Sequence, residues 1–249
     1  MNSFSLARRR PPVSQAAPVV AFTVDLEPDC PPYLSTGFRG VEHGLPALLD
    51  LLGALEVPAT FFTTGDVATR YPRAVERLVS EGHELACHGM THTAFTSLSR
   101  TEAEHEITES AAILRRFAPV TSFRAPYLRF PDAYVSILER SGFDLDSSQA
   151  RYKLAYYRQR PRTTLKRIPA SVTSSVLRLP SSVRRAYLAA LSAPVVLFVH
   201  PWEFVDLRNE KLRLDCRFKT GTVALECIKT MLESYANNDA RFVRMRELE

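Results

Sequence analysis

From Val19 onward, short apolar runs alternate with longer amphipathic stretches, the pattern of βα units arranged around a parallel sheet or barrel. Eight runs read as strands: VVAFTV (19–24), ATFFTTG (59–65), HELAC (83–87), TSFRAP (121–126), DLDSS (144–148), RIPAS (167–171), VVLFVH (195–200) and RFVRM (241–245). Between them, GLPALLDLLGAL (44–55) and PRAVERLVSEG (72–82) carry apolar residues at three- and four-residue spacing, and the second stops on Gly82, so both read as helices. A third helix is expected in SLSRTEAEHEITESAAILRRF (97–117), where Ser99 and Glu102 stand in capping-box register. The stretch from about 150 to 192 has no clear period.

The polar positions gather at one end of these strands. Asp25 and Glu27 follow the first, Thr63 and Thr64 end the second, and His88 follows the third. Arg124 and Tyr127 mark the fourth, Asp146 the fifth and His200 the seventh. In α/β barrels the strand ends converge on one mouth, so these separated residues are expected to form a single constellation.

Composition narrows the setting. At 249 residues and 45% hydrophobic content, the chain fits one well-buried domain, expected over 18–249 with a disordered tail at 1–17. The net charge of +5 is unevenly placed, because ten Lys and Arg residues and no acid fall between Arg151 and Arg185. Such a segment suits an anionic substrate or membrane surface, or is a solvated arginine-rich excursion. Nucleic acid is not expected. Cys30, Cys87, Cys216 and Cys227 form no CxxC pair, and the N-terminus lacks a long apolar run, so a soluble cytoplasmic protein is expected.

The chemistry centres on HELACHGMTH (83–92). His88 and His92 stand four apart and can bind one divalent cation if a carboxylate joins them. Asp25, Glu27 and Asp29 in TVDLEPD (23–29) offer both that third ligand and a general base. His200, where an apolar strand stops in VLFVHPWEF (197–204), can protonate a leaving group. Arg124 can pair with a carboxylate or serve as a structural salt bridge, and Tyr127 and Trp202 can line a sugar-sized pocket or form an ordinary rim.

The ordered succession TVDLEPD, HGMTH, RAPY, DLDSS and HPWEF resembles the polysaccharide deacetylases, the NodB homology domain of carbohydrate esterase family 4. The resemblance implies a distorted, incomplete (β/α) barrel of the α/β class, one divalent metal ion such as zinc, and hydrolysis of an acyl group on a sugar. It implies His88 and His92 as metal ligands, Asp25 as catalytic base, Arg124 as the residue orienting that base, Tyr127 as an oxyanion donor through its backbone N–H, and His200 as catalytic acid. The common type of motif has two adjacent aspartates, the second a metal ligand, whereas Leu26 stands at that position here. The chain therefore resembles an acid-x-acid branch, which implies Glu27 as third ligand with Asp29 as the alternative.

The expected activity is metal-dependent removal of an N-acetyl group from an amino sugar, in a glycan or on a lipid or other carrier. A deformylase or cyclic amide hydrolase on the same scaffold is the near alternative, and a non-catalytic carbohydrate-binding protein the distant one. A base, an acid and a metal pair kept together favour catalysis.

Overall fold

The computed structural model describes residues 17–157 and 162–248; the expected tail through residue 16, and Arg158 and Arg160 of the basic segment, lie outside the described residues. Eight strands form: β1 (Val19–Leu26), β2 (Ala59–Thr63), β3 (Glu84–Cys87), β4 (Ser122–Phe123), β5 (Leu145–Asp146), β6 (Lys166–Arg167), β7 (Val195–Val199) and β8 (Arg241–Phe242). All their pairings are parallel, in the order β6-β5-β4-β3-β2-β1-β7, with β8 beside β1. The sheet curls into a distorted, incomplete barrel. Its seam lies between β6 and β7, where Ser171 takes the place of a ladder: its N–H donates to the Val196 carbonyl at 2.9 Å and its Oγ accepts the Val196 N–H at 2.9 Å.

Strand alternation sorts the side chains. On β1, Val20, Phe22, Val24 and Leu26 join the outer core, while Ala21 points inward to meet Phe62, Ala86, Leu145, Ile168 and Val196. The floor of the barrel is closed by the C-terminal segment, whose Val243, Met245 and Leu248 complete this inner cluster. Below it, buried Glu84 accepts from the Thr60 hydroxyl at 2.8 Å, the Ser122 hydroxyl at 2.6 Å and the Arg246 N–H at 3.1 Å. Inward positions near the mouth are Thr23, Asp25, Arg124 and His88, all buried. The same period that builds the apolar floor thus delivers polar groups to the top.

Helices cover the outside. Those expected at 44–55, 72–82 and 97–117 occur as Leu45–Ala54, Pro72–Ser80 and Arg100–Leu114. The third starts on the expected capping box: Ser99 Oγ accepts the Glu102 N–H at 3.3 Å and the Glu102 carboxylate accepts the Ser99 N–H at 2.7 Å. A helix at Thr222–Ala236 buries Ala224, Ile228, Met231 and Leu232, a helical spacing to which the sequence reading assigned no element. No helix among the described residues is long and apolar enough to cross a membrane.

If the Met245 side chain is the plug of the inner barrel, Met245→Ala should cost about 2–5 kcal/mol of stability, the range for removing a fully buried long side chain. Chemical denaturation measures it. A loss under roughly 1 kcal/mol, the scale of a single methylene, would contradict the seating of this segment.

Candidate active site

β4 ends at Phe123, and the next residue, Arg124, turns its side chain into the barrel. Its guanidinium is fully buried and donates from Nη1 to Asp25 Oδ1 at 2.6 Å and Thr23 Oγ1 at 2.8 Å, and from Nη2 to Ser147 Oγ at 3.0 Å. The Phe62 ring lies 4.0 Å from the guanidinium carbon, and this cation–π contact helps offset desolvation. Asp25 is thereby held by one oxygen, while among the described residues its Oδ2 carries no hydrogen bond. A carboxylate fixed in this way and opening on a pocket has the geometry of a general base.

The backbone of Arg124 has a second task. Its carbonyl accepts from His88 Nδ1 at 2.7 Å, which fixes the ring and leaves Nε2 as the nitrogen that faces the cluster. That Nε2 faces Glu27 Oε2 at 3.3 Å, and His92 Nε2 faces the same oxygen at 2.6 Å. Ligand atoms of Glu27, His88 and His92 all lie within 4.8 Å of one another, and all three residues are buried. Without a metal these short Nε2–carboxylate contacts are satisfied by protonated imidazoles donating to Glu27; with one, two imidazole lone pairs and a carboxylate oxygen face a single point, so the donor set fits a divalent metal ion with two nitrogens and one oxygen. Burial pushes the Glu27 carboxyl up, but the charges of His92 and His200 and hydrogen bonds from His88 and His92 outweigh it and hold Glu27 well below the usual carboxylate range.

Asp29, the alternative ligand, is engaged elsewhere. Its Oδ1 accepts the Gly40 N–H at 2.8 Å and its Oδ2 the Arg39 N–H at 2.9 Å, so it anchors the start of the helical segment that follows. That segment packs closely on the turn Pro201–Phe204: a Cβ on Gly40 would lie 2.5 Å from the Trp202 nitrogen, and one on Gly44 2.0 Å from the Pro201 carbonyl oxygen. Only glycine permits this approach, and it seats the residues that follow β7.

His200 directly follows β7 and is braced from three sides. Its Nδ1 lies 2.7 Å from Glu203 Oε1, its ring stacks on Trp202 with centroids 4.8 Å apart, and its Nε2 is 3.8 Å from Glu27 Oε1. Glu203 is itself paired with buried Arg178 at 2.9 Å. Burial pushes the His200 imidazolium down, but Glu27, Glu203 and Asp25 outweigh it and raise its pKa to about 9, so the ring is held in the proton-carrying form. Trp202 is largely buried and donates its indole N–H to Glu27 Oε1 at 3.2 Å. It supports the cluster as much as it lines the cavity.

A cavity of ≈ 200 Å³ brings these groups together, lined by Asp25, Glu27, His92, Tyr127, His200 and Trp202 among others. Tyr127 is 38% exposed at its mouth, its ring edge-on to His92 at 4.7 Å. Among the described residues, no hydrogen bond engages the Tyr127 backbone N–H. Sequence reading missed Glu203 and Arg178, although Glu203 stands three residues after His200 in the HPWEF stretch. Among the described residues, several side chains of the basic segment are engaged internally. Arg178 and Arg184 are buried, Arg167 pairs with Asp146 and Asp132, and Arg151 and Lys166 donate to backbone carbonyls.

The model of the polysaccharide deacetylase family matches residues 13–145. Among curated proteins, a chitooligosaccharide deacetylase of Sinorhizobium fredii is 35% identical over 100 residues, covering 39% of this chain and 46% of that protein. A peptidoglycan deacetylase of Helicobacter pylori is 28% identical over 123 residues, covering 48% and 42%. The chain thus spans less than half the length of the curated relatives it matches. Among solved structures, a Streptomyces lividans family 4 carbohydrate esterase superposes with a TM-score of 0.61 at 17% identity, covering 90% of each chain. A Mycobacterium smegmatis protein assigned to the polysaccharide deacetylases gives 0.70 at 22%, covering 96% of this chain and 92% of that one. At these identities the superpositions speak for the fold, and with the family model matching more than half of the sequence the chain belongs to the polysaccharide deacetylase family.

Proposed function

We propose that the protein is a metal-dependent hydrolase that removes an N-acetyl group from an amino sugar, within a glycan or on a carrier. The observation that carries this reading is the convergence of Glu27, His88 and His92 beside the clamped Asp25 carboxylate and His200 at one cavity. Family membership and the names of the relatives, which act on chitooligosaccharides and peptidoglycan, support it.

Amide hydrolysis needs a strengthened nucleophile, a home for the developing oxyanion and a proton for the departing nitrogen. A divalent ion at Glu27, His88 and His92, which we take to be zinc, supplies Lewis acidity toward the acyl oxygen and toward water. Asp25, fixed on Oδ1 by Arg124, accepts the proton of the attacking water on its free oxygen. The unengaged Tyr127 N–H donates to the oxyanion. His200, protonated and held through Nδ1 by Glu203, releases the Nε2 proton to the leaving nitrogen. Arg178 keeps Glu203 ionised by their pairing, against burial that pushes its carboxyl up.

A lipid-linked substrate and contact with an anionic membrane belong to the same proposal. Among the described residues of the basic segment, Arg162 and Arg185 are exposed side chains. A cytoplasmic setting is also proposed, on the ground that all four cysteines are free thiols.

Two outcomes are expected. Purified protein should carry about one zinc or comparable ion per chain by elemental analysis, lost in His88→Ala and Glu27→Ala but kept in Asp29→Ala; loss of the ion in Asp29→Ala with retention in Glu27→Ala would reverse the ligand assignment. Incubated with chito-oligosaccharides, peptidoglycan fragments and lipid-linked acetamido sugars, the enzyme should release acetate, and Asp25→Asn should lower the rate by roughly 10²-fold or more while keeping the ion. No acetate from any of these substrates with the metal-loaded protein would sink the reading.

A further inference from the structure

Beside the site, the chain between Pro126 and Arg129 makes a turn with two consecutive left-handed residues, Tyr127 at φ 60° and Leu128 at φ 50°. Neither is glycine, and side chains disfavour this backbone region. The turn's own hydrogen bonds, from the Leu128 N–H to the Ala125 carbonyl at 3.1 Å and from the Arg129 N–H to the Pro126 carbonyl at 3.3 Å, leave the outward carbonyls of Tyr127 and Leu128 to another partner. Lys153 provides it. Its ammonium donates to the Tyr127 carbonyl at 2.7 Å and lies 3.4 Å from that of Leu128.

Lys153 belongs to the basic segment, yet among the described residues no carboxylate pairs with it. It lines the same cavity as Asp25, Glu27 and His200. Burial, with the nearby Arg129 charge, pushes its pKa down to about 8, so this cation is held at a cost that no ion pair offsets. The two carbonyls are what it gains.

We infer that Lys153 is a positioning residue: by gripping both carbonyls it fixes the left-handed turn that aims the Tyr127 N–H into the cavity. This rests on the oxyanion role proposed above for that N–H. A lysine reaching across from a distant segment can hold a strained turn because its three N–H donors tolerate two carbonyls that diverge, and its long stem spans the gap without constraining the segment it comes from.

The test combines kinetics with amide exchange. Lys153→Met should lower kcat for acetate release by roughly 10-fold or more with KM nearly unchanged, and should speed exchange of the Leu128 and Arg129 amides by a similar factor while metal content stays at the parent level. Lys153→Arg, which keeps the donors, should restore both. If Lys153→Met does not fold, Lys153→Gln, too short to reach both carbonyls, replaces it with the same expectations. Unchanged exchange in the folded variant overturns the inference whatever the kinetics. A rise in KM confined to anionic substrates, with kcat intact, also overturns it and makes Lys153 a substrate contact. Should no variant and no parent release acetate, the functional reading fails, while faster exchange in Lys153→Met would still establish the clamp and unchanged exchange would still remove it.

Discussion

The burial of Arg124 is the constraint on which the rest of the site depends. Its side chain fixes Asp25, Thr23 and Ser147 from inside the barrel, and its backbone carbonyl fixes the ring of His88. One residue therefore sets both the orientation of the Asp25 carboxylate and that of the His88 ring. A buried guanidinium is costly to desolvate, and removing its carboxylate partner typically costs about 3–5 kcal/mol. The charge at Asp25 is thus tied to the stability of the fold as well as to chemistry, and the two demands cannot be tuned independently.

Around this centre two chains of charge face the cavity. One is the pair of Arg124 with Asp25. The other runs from Arg178 through Glu203 to His200, whose Nε2 comes within 3.8 Å of Glu27. Asp25 and Glu203 each have a guanidinium behind them, and an opposite charge at that distance offsets part of the cost of burying a carboxylate. The glycines at 40 and 44, together with Asp29, press the helical segment after β1 against the turn after β7, which brings Trp202 onto Glu27. Packing outside the barrel in this way sets distances inside it.

Much of this was legible in the sequence. Strands of period two that end abruptly in a polar residue, as VVLFVH does at His200, show both the barrel and its mouth, because alternation forces successive inward positions toward the same end. The pairing of His88 with His92 was readable from their spacing, whereas Glu27 as their partner, with Asp29 as the alternative, came from the family resemblance. What stayed hidden depends on contacts between distant segments: Arg178 against Glu203, Lys153 against Tyr127, and the capture of Asp29 by backbone N–H groups at Arg39 and Gly40. Charge in a sequence also does not show which arginines of the basic run turn inward, as Arg178 and Arg184 do. The helix at Thr222–Ala236 had the right spacing at Ala224, Ile228, Met231 and Leu232 and could have been found.

The central claim is that Glu27, His88 and His92 together hold one divalent ion. X-ray absorption at the zinc edge on the zinc-loaded protein tests it most directly. Two imidazole nitrogens at about 2.0–2.1 Å and a carboxylate oxygen at about 2.0–2.2 Å are the predicted shell. A shell containing sulfur at about 2.3 Å, or one with fewer than two imidazoles, would place the ion elsewhere and contradict the account.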